Sequence, residues 1–272
     1  MVQKSRIRVG AVSFLNTKPL IYPLLNGELL TENIILSVHV PSELATQLRN
    51  DELDIGLIPI VEYFRANATG AGYRILPEIA ITSQGSVLSI QLFSRVPIHE
   101  IKHIALDTSS RSSIALLKIL LAEKYYIDPN FVWCEPSINP VTAETESVLL
   151  IGDAALKNLG TTEYSIDLGT AWQELTGLPF VYACWVARRE VDIGDTANLL
   201  LKAKERGITR IPEIAQVEAK KLGLPVTLCT EYIQKHIHYD LDESAIVGLE
   251  RFYKLAAKHG LVEPGQTLSF ID

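Results

Sequence analysis

The chain has 272 residues, 47% of them hydrophobic, which is enough for one large or two modest domains with a substantial core. Its net charge of −7 disfavours a general nucleic-acid-binding surface. No apolar run reaches the ~18 residues of a membrane-spanning helix, so we expect no membrane partner.

The amino-terminal segment favours a cytoplasmic protein. MVQKSRIRVGAVSFLNTKPL carries basic residues, but polar Ser13, Asn16 and Thr17 interrupt it, so it lacks the continuous apolar stretch of a signal peptide. The three cysteines lie far apart and show neither metal-ligand spacing nor a disulfide framework.

Strand and helix patterns alternate through the first 64 residues. In chain order they are a strand at Arg6–Val12, a helix that Pro19 opens and Gly27 ends, a strand at Ile34–Val40, a helix from Pro41 and a strand at Asp54–Phe64. This β-α-β-α-β order is typical of a parallel α/β sheet.

The rest of the chain predicts a second α/β unit followed by helices. Residues 80–98 alternate like a strand, and α/β alternation continues to Arg189. Amphipathic helices follow, with Gly207 and Gly260 predicted as helix ends. Extended segments near Arg95 and Arg188 are candidate crossings between two lobes. We therefore predict a discontinuous lobe of residues 1–94 and 190–272, and a second lobe of residues 95–189.

The segment IALDTSSRSSIALLKILL places small polar residues and one arginine between a strand and a helix. Free backbone N–H groups and the dipole at a helix start favour an anion, and Ser109, Ser110 and Ser112 add hydroxyl donors while Arg111 adds a cation. The alternative is that a serine only caps the helix and Arg111 is solvated. Nucleotide binding is not indicated, because the chain has neither GxGxxG nor GxxxxGK[ST].

A second polar cluster lies in ITSQGSVLSIQLFS. Ser83, Gln84, Ser86 and Ser89 are candidates to line a cleft, with Gly85 allowing close approach of a ligand to the backbone. The alternative is a turn before an edge strand.

Two strand ends carry further candidates. Ser13 and Asn16 follow the first strand, where open α/β sheets bind ligands, although Asn16 also suits a local turn before a proline. Gly152 and Asp153 end an apolar strand, where the carboxylate suits either acid–base chemistry or a helix cap. The histidines have no partner at zinc spacing, so no metal site is predicted.

Taken in order, six segments resemble chorismate dehydratase, the first enzyme of the futalosine route to menaquinone. The resemblance covers nearly all of residues 7–190. The segments are VSFLNTKPL, PSELATQLRNDELDIGLIPIVEY, ITSQGSVLSIQLFS, ALDTSSRSSIALLKILLAEKY, LLIGDAAL and DLGTAWQELTGLPFVYACWVAR.

This resemblance implies a type II periplasmic-binding-protein-like fold with the ligand between two α/β lobes. It implies loss of water from chorismate to give 3-[(1-carboxyvinyl)oxy]benzoate, with no redox cofactor and no metal required. One substrate carboxylate is expected at Ser109, Ser110, Arg111 and Ser112. The other is expected near Ser86, with Asn16 on the ring hydroxyl or a carboxylate, and Ser13 and Gly152 are further candidate contacts.

Several alternatives stay open at this level. The proton acceptor is either Asp153 or a carboxylate of the substrate itself. A second possible function is that of the sister enzyme, 1,4-dihydroxy-6-naphthoate synthase, which shares the fold but resembles a protein with a catalytic histidine in the second lobe. At the comparable strand end this chain has Asp153 and no histidine, which argues against the sister activity. A cytosolic solute-binding module without catalysis is a third reading, and the chain is expected to be a monomer or a homodimer.

Overall fold

The computed structural model describes residues 6–107, 111–136 and 138–271 of the chain. Its ten named strands are β1 (Ile7–Val12), β2 (Ile34–His39), β3 (Ile55–Pro59), β4 (Arg74–Ser83), β5 (Ile90–Ser94), β6 (His103–Asp107), β7 (Asn130–Cys134), β8 (Ser147–Ile151), β9 (Tyr164–Asp167) and β10 (Phe180–Ala187).

Helices follow most of these strands and fill the carboxy-terminal third. They are α1 (Lys18–Leu25), α2 (Pro41–Arg49), α3 (Ile60–Ala68), α4 (Ser112–Leu120), α5 (Gly152–Lys157), α6 (Leu168–Thr176), α7 (Thr196–Thr209), α8 (Ile211–Leu222), α9 (Val226–Glu231) and α10 (Glu243–Lys258). Short π-helical turns extend α4 over Leu121–Tyr125 and α9 over Tyr232–His236.

The strands form two five-stranded sheets, in the orders β2-β1-β3-β10-β4 and β7-β6-β8-β5-β9. In each sheet three consecutive strands are parallel, and β10 or β5 runs antiparallel to both of its neighbours. Every residue of β3 and β8 is buried, which explains their unbroken apolar sequences. We call the first sheet with α1–α3 and α7–α10 the first lobe, and the second sheet with α4–α6 the second lobe.

The chain passes between the lobes at residues 84–89 and returns at residues 177–179. Both crossings come before the predicted ones near Arg95 and Arg188, because β5 pairs with β8 in the second sheet while β10 pairs with β3 and β4 in the first. We therefore propose lobe boundaries at these crossings, instead of after residues 94 and 189.

The strand predicted over Asp54–Phe64 is wrong in its second half. The strand ends at Pro59, and α3 begins at Ile60. Hydrophobic periodicity could not distinguish the strand from the helix here. The end of β3 and the start of α3 are both buried, and a short continuous apolar run is compatible with either element.

Gly207 does not end a helix, as the sequence predicted, but lies inside α7. A Cβ atom at this position would overlap the carbonyl oxygen of Pro19 in α1. The glycine is therefore required by the close contact of α7 with α1. Gly260, by contrast, follows α10 with φ +67°, as a helix-ending glycine should.

Candidate functional site

A cavity of about 70 Å³ lies between the two lobes. Its walls come from both sheets, the first crossing and the starts of several helices. The lining residues are Val12, Phe14, Asn16, Thr17, Pro41, Pro59, Ile81, Val87, Ser89, Ile90, Arg111, Ser112, Ser113, Ile151, Gly152, Tyr182 and Ala183.

Five helices begin at this cavity. The strands β1, β2, β3, β6 and β8 lead into α1 to α5, and lining residues lie at each of these junctions. The carboxyl ends of parallel strands form the usual ligand-binding edge of an α/β sheet. Unpaired N–H groups and the helix dipoles make the starts of helices positive, so their convergence favours an anionic ligand.

The ionisable side chains on the described part of the wall are few. Arg111 and Tyr182 line the cavity, whereas no Asp, Glu, His, Lys or Cys does among the described lining residues. Tyr182 is buried, and its hydroxyl forms a 2.9 Å hydrogen bond with the Ser83 hydroxyl. Burial raises the pKa of Tyr182 well above its usual value, so the phenol stays neutral and Arg111 carries the only full charge described on this wall.

Asn16 lies on the cavity wall, at the position expected from the end of β1. It is half-buried, and its Oδ1 accepts a hydrogen bond from Thr17 Oγ1 at 3.3 Å. Ser13 is placed differently. It is exposed, its N–H donates to the carbonyl of His39, and it is not among the lining residues.

Ser86 does not line the cavity, but Ser89 does. The Ser86 hydroxyl donates to Asp167 Oδ2 at 3.0 Å, and Asp167 also accepts from the backbone N–H groups of Val87 and Leu88. Asp167 thereby ties this crossing to the start of α6, where it also accepts from Thr170 N–H. Of the serines in this polar segment, the sequence singled out Ser86 as the substrate contact, whereas the structure places Ser89 on the cavity wall.

The start of α4 lies at the cavity, as the serine-rich segment suggested. Arg111 is exposed, whereas Ser112 and Ser113 are buried, and all three line the wall. The backbone N–H of Val61 donates to Ser112 Oγ at 3.2 Å, so Ser112 bonds to the start of α3 in the other lobe. Ser109 and Ser110 lie outside the described residues. Ser113 was not singled out by the sequence, although its place in the serine run was the available signal.

Asp153 is not on the cavity wall, although its neighbour Gly152 is. Its Oδ1 accepts the N–H of Leu15 at 3.0 Å, which links α5 to the segment after β1 in the other lobe. Burial raises the pKa of Asp153, against the opposing effects of the Leu15 hydrogen bond and of Lys18. This geometry makes Asp153 a contact between the lobes.

Both the backbone conformation at position 152 and the contact with Phe14 require a glycine there. Its φ is +58°, and a Cβ atom there would lie 3.0 Å from the ring of Phe14. Its N–H donates to the carbonyl of Ser89 at 2.8 Å. The glycine thus lets the two lobes approach each other at the cavity.

Two general properties complete the description. Within the described residues, no group of three or more His, Cys, Asp or Glu side chains is arranged to hold a metal ion, and the three cysteines are free thiols. None of the helices in the described ranges is both long and apolar enough to cross a membrane.

Comparison with known families gives a match over most of the chain. Residues 7–258 match the sequence model of a family described as menaquinone biosynthesis. A chorismate dehydratase from Thermus thermophilus is 31% identical over 232 residues, which is 78% of this chain and 83% of that protein. A chorismate dehydratase from Campylobacter jejuni is 27% identical over 252 residues, 90% of this chain and 95% of that protein.

Solved structures support the fold. Protein AF1704 from Archaeoglobus fulgidus superposes with a TM-score of 0.77 at 20% identity, covering 94% of this chain and 98% of that one. The periplasmic aliphatic sulphonate-binding protein of Escherichia coli superposes with a TM-score of 0.65 at 15% identity, covering 96% of this chain and 94% of that one. The predicted two-lobe, periplasmic-binding-protein-like α/β fold is confirmed.

Proposed function

The chain belongs to the menaquinone-biosynthesis family, and on that premise we propose that it is a hydro-lyase that converts chorismate to 3-[(1-carboxyvinyl)oxy]benzoate. Two relatives of matching length bear the name chorismate dehydratase. In this reaction one ring proton and the ring hydroxyl leave together as water, and the ring becomes aromatic. Aromatisation drives the reaction, so the protein has to orient the substrate, provide a route for the proton and assist the departing hydroxide.

The observation that carries this proposal is the start of five helices at one cavity whose described wall has Arg111 but no carboxylate. Chorismate is a dianion, and such a wall offers N–H groups and hydroxyls to both of its carboxylates. We place one carboxylate at the start of α4, with Arg111, Ser112 and Ser113. We place the other between Ser89 and the loop at Asn16, which also line the cavity.

For the proton we propose substrate assistance, in which a carboxylate of chorismate removes the ring proton. The alternative proton acceptor is Asp153, but its carboxylate accepts a hydrogen bond from the Leu15 N–H, and Asp153 is not among the described lining residues. A fixed carboxylate beside a dianion would also weaken binding. Asn16 and Ser89 are then left to donate hydrogen bonds to the departing oxygen or to a carboxylate.

The partner that we propose is therefore a small molecule, and the place of action is the cytoplasm. Three free thiols suit a reducing compartment. The reaction itself balances without a redox cofactor.

The test is a turnover assay with chorismate, followed by chromatography and mass spectrometry for an aromatic product lighter by one water. Run with and without EDTA, it should give equal rates, because no metal takes part. Heat-denatured protein is the control for spontaneous decay of chorismate. Binding of chorismate without product would instead identify a solute-binding module, and neither binding nor product would point to the sister activity.

A further inference from the structure

A buried phenol from the carboxy-terminal segment lies directly behind the cavity wall. Tyr232 follows α9 and is 1% exposed. Its hydroxyl donates a hydrogen bond to Ser89 Oγ at 2.7 Å, and Ser89 is itself 1% exposed on the cavity wall.

The bonds around Ser89 fix both its backbone and its side chain. Its carbonyl accepts the N–H of Gly152 at 2.8 Å, so the backbone is held to the second sheet next to the β5–β8 pairing. Its hydroxyl oxygen accepts the Tyr232 proton, and a hydroxyl that accepts one hydrogen bond keeps its own hydrogen to donate elsewhere. Because Ser89 lies on the wall, the remaining direction for that hydrogen is towards the ligand.

The phenol also has the protonation state that this role requires. Burial raises the pKa of Tyr232, against the opposing effect of its hydrogen bond with Ser89. It therefore remains a proton donor throughout the neutral range. Ser89 lines the cavity, so the phenol bonds directly to a polar side chain of the wall.

We propose that Tyr232 is a positioning residue, whose hydroxyl holds the Ser89 hydroxyl as a hydrogen-bond donor aimed at an anionic oxygen of the substrate. This inference rests on the proposed function, since the oxygen is one of chorismate. It makes the helices after the second crossing part of the active site, although they supply no lining residue within the described chain.

The test is a double-mutant cycle of Tyr232→Phe and Ser89→Ala, read in kcat, KM and the dissociation constant for chorismate. Ser89→Ala removes a donor to the developing charge and should lower kcat/KM about a hundredfold. Tyr232→Phe leaves Ser89 in place but unaligned and should lower it about tenfold, mainly through kcat. The double variant should match Ser89→Ala alone, because the phenol acts only through the serine.

Tyr239→Phe is the matched control. Tyr239 is a buried tyrosine of the same segment, and its hydroxyl donates to the Ile233 carbonyl, away from the cavity wall. This variant should retain kcat/KM within about twofold, while thermal denaturation verifies that all variants are folded.

Two results would overturn the inference. One is multiplicative losses in the double variant, which would mean that the phenol acts independently of Ser89. The other is equal losses in Tyr232→Phe and Tyr239→Phe, which would mean a general effect on packing. If the wild type binds chorismate without turning it over, the proposed function fails. The same double-mutant cycle, measured as dissociation constants for chorismate, then decides the role of Tyr232. If it does not bind chorismate, both proposals fail.

Discussion

Single residues at the lobe interface were the hardest part of the site to assign. Asp153 follows a buried strand, where a catalytic carboxylate and a helix cap look alike in sequence. The structure gives it a third role, as the acceptor of the Leu15 N–H from the opposite lobe. A polar residue at a strand end is therefore not assigned by its position alone.

Asp153→Asn tests the substrate-assisted reaction. A protein base contributes roughly 10²–10⁴ in rate, whereas a contact between lobes does not, so we expect turnover within about tenfold of wild type. Steady-state kinetics with chorismate provides the measurement. A loss above about a thousandfold with unchanged affinity would instead make Asp153 the base.

The same substitution has a predicted pH dependence. Because burial raises the pKa of Asp153, its contribution to stability is full below the unfolded pKa, near 4, and is lost as pH rises through the folded pKa. Asparagine does not titrate, so the melting temperature of Asp153→Asn relative to wild type should rise between about pH 4 and about pH 7. Thermal melts at both pH values test this, and a relative decrease would contradict it.

Asn16→Ala should reduce turnover more than stability. Loss of one donor at a transition state costs about 10²–10³ in rate, whereas loss of the Thr17–Asn16 bond costs on the order of 1 kcal/mol. Kinetics and thermal melts of the same preparation separate the two effects. Ser13→Ala, at an exposed position off the wall, is the matched control. If a folded Asn16→Ala protein kept a turnover rate within about threefold of wild type, Asn16 would have only a structural role in the local turn.

At the scale of elements, close approach of helices decides where glycine is needed. Gly207 lies in α7 against the Pro19 carbonyl of α1, and Gly248 in α10 lies against the Pro179 carbonyl. Both positions look like ordinary weak points of a helix in sequence, since glycine lowers helix propensity. The contact that requires them is between elements far apart in the chain.

Gly207→Ala should destabilise the protein despite the better helix propensity of alanine. The new methyl group would overlap the Pro19 carbonyl, and overpacking of this kind costs about 1–3 kcal/mol, more than the ~1 kcal/mol gained from propensity. A lower melting temperature is the expected result. Glu205→Ala, on the exposed face of α7, should change little. An unchanged or higher melting temperature for Gly207→Ala would show that α7 can shift without cost.

At the scale of the molecule, the two lobes are joined by both apolar and polar contacts. Trp172 of α6 packs edge-on against Phe180 of β10 and Phe252 of α10, with ring centroids 5.3 Å and 6.4 Å away. At the cavity, the Leu15–Asp153 and Val61–Ser112 hydrogen bonds cross from one lobe to the other. A ligand seated between these bonds contacts both lobes and should stabilise them together.

The reaction product should therefore raise the melting temperature. A ligand that binds only the folded state at a hundred times its dissociation constant stabilises by about 2.7 kcal/mol. Thermal melts with 3-[(1-carboxyvinyl)oxy]benzoate test this, with benzoate, which has only one carboxylate, as the control. We expect benzoate to need a higher concentration for an equal shift. No shift with saturating product would contradict a site shared by both lobes.

The sequence by itself determined the class of fold, the two polar segments at strand ends and the family. The alternation of strands and helices is a local pattern, and the order of the family motifs can be read from the sequence without knowing any tertiary contact. The predicted site residues Asn16, Arg111, Ser112 and Gly152 line the cavity, since the carboxyl ends of parallel strands meet at one edge.

Only the tertiary structure decided which polar side chains line the cavity. Ser86 bonds to Asp167 and Ser89 bonds to Tyr232, so two serines three residues apart have different surroundings. Those surroundings come from segments 81 and 143 residues away, and no periodicity within one segment reports them. The two crossings lie earlier in the chain than the sequence predicted for the same reason. The sheet to which a strand belongs depends on its pairing with strands that are distant in the chain.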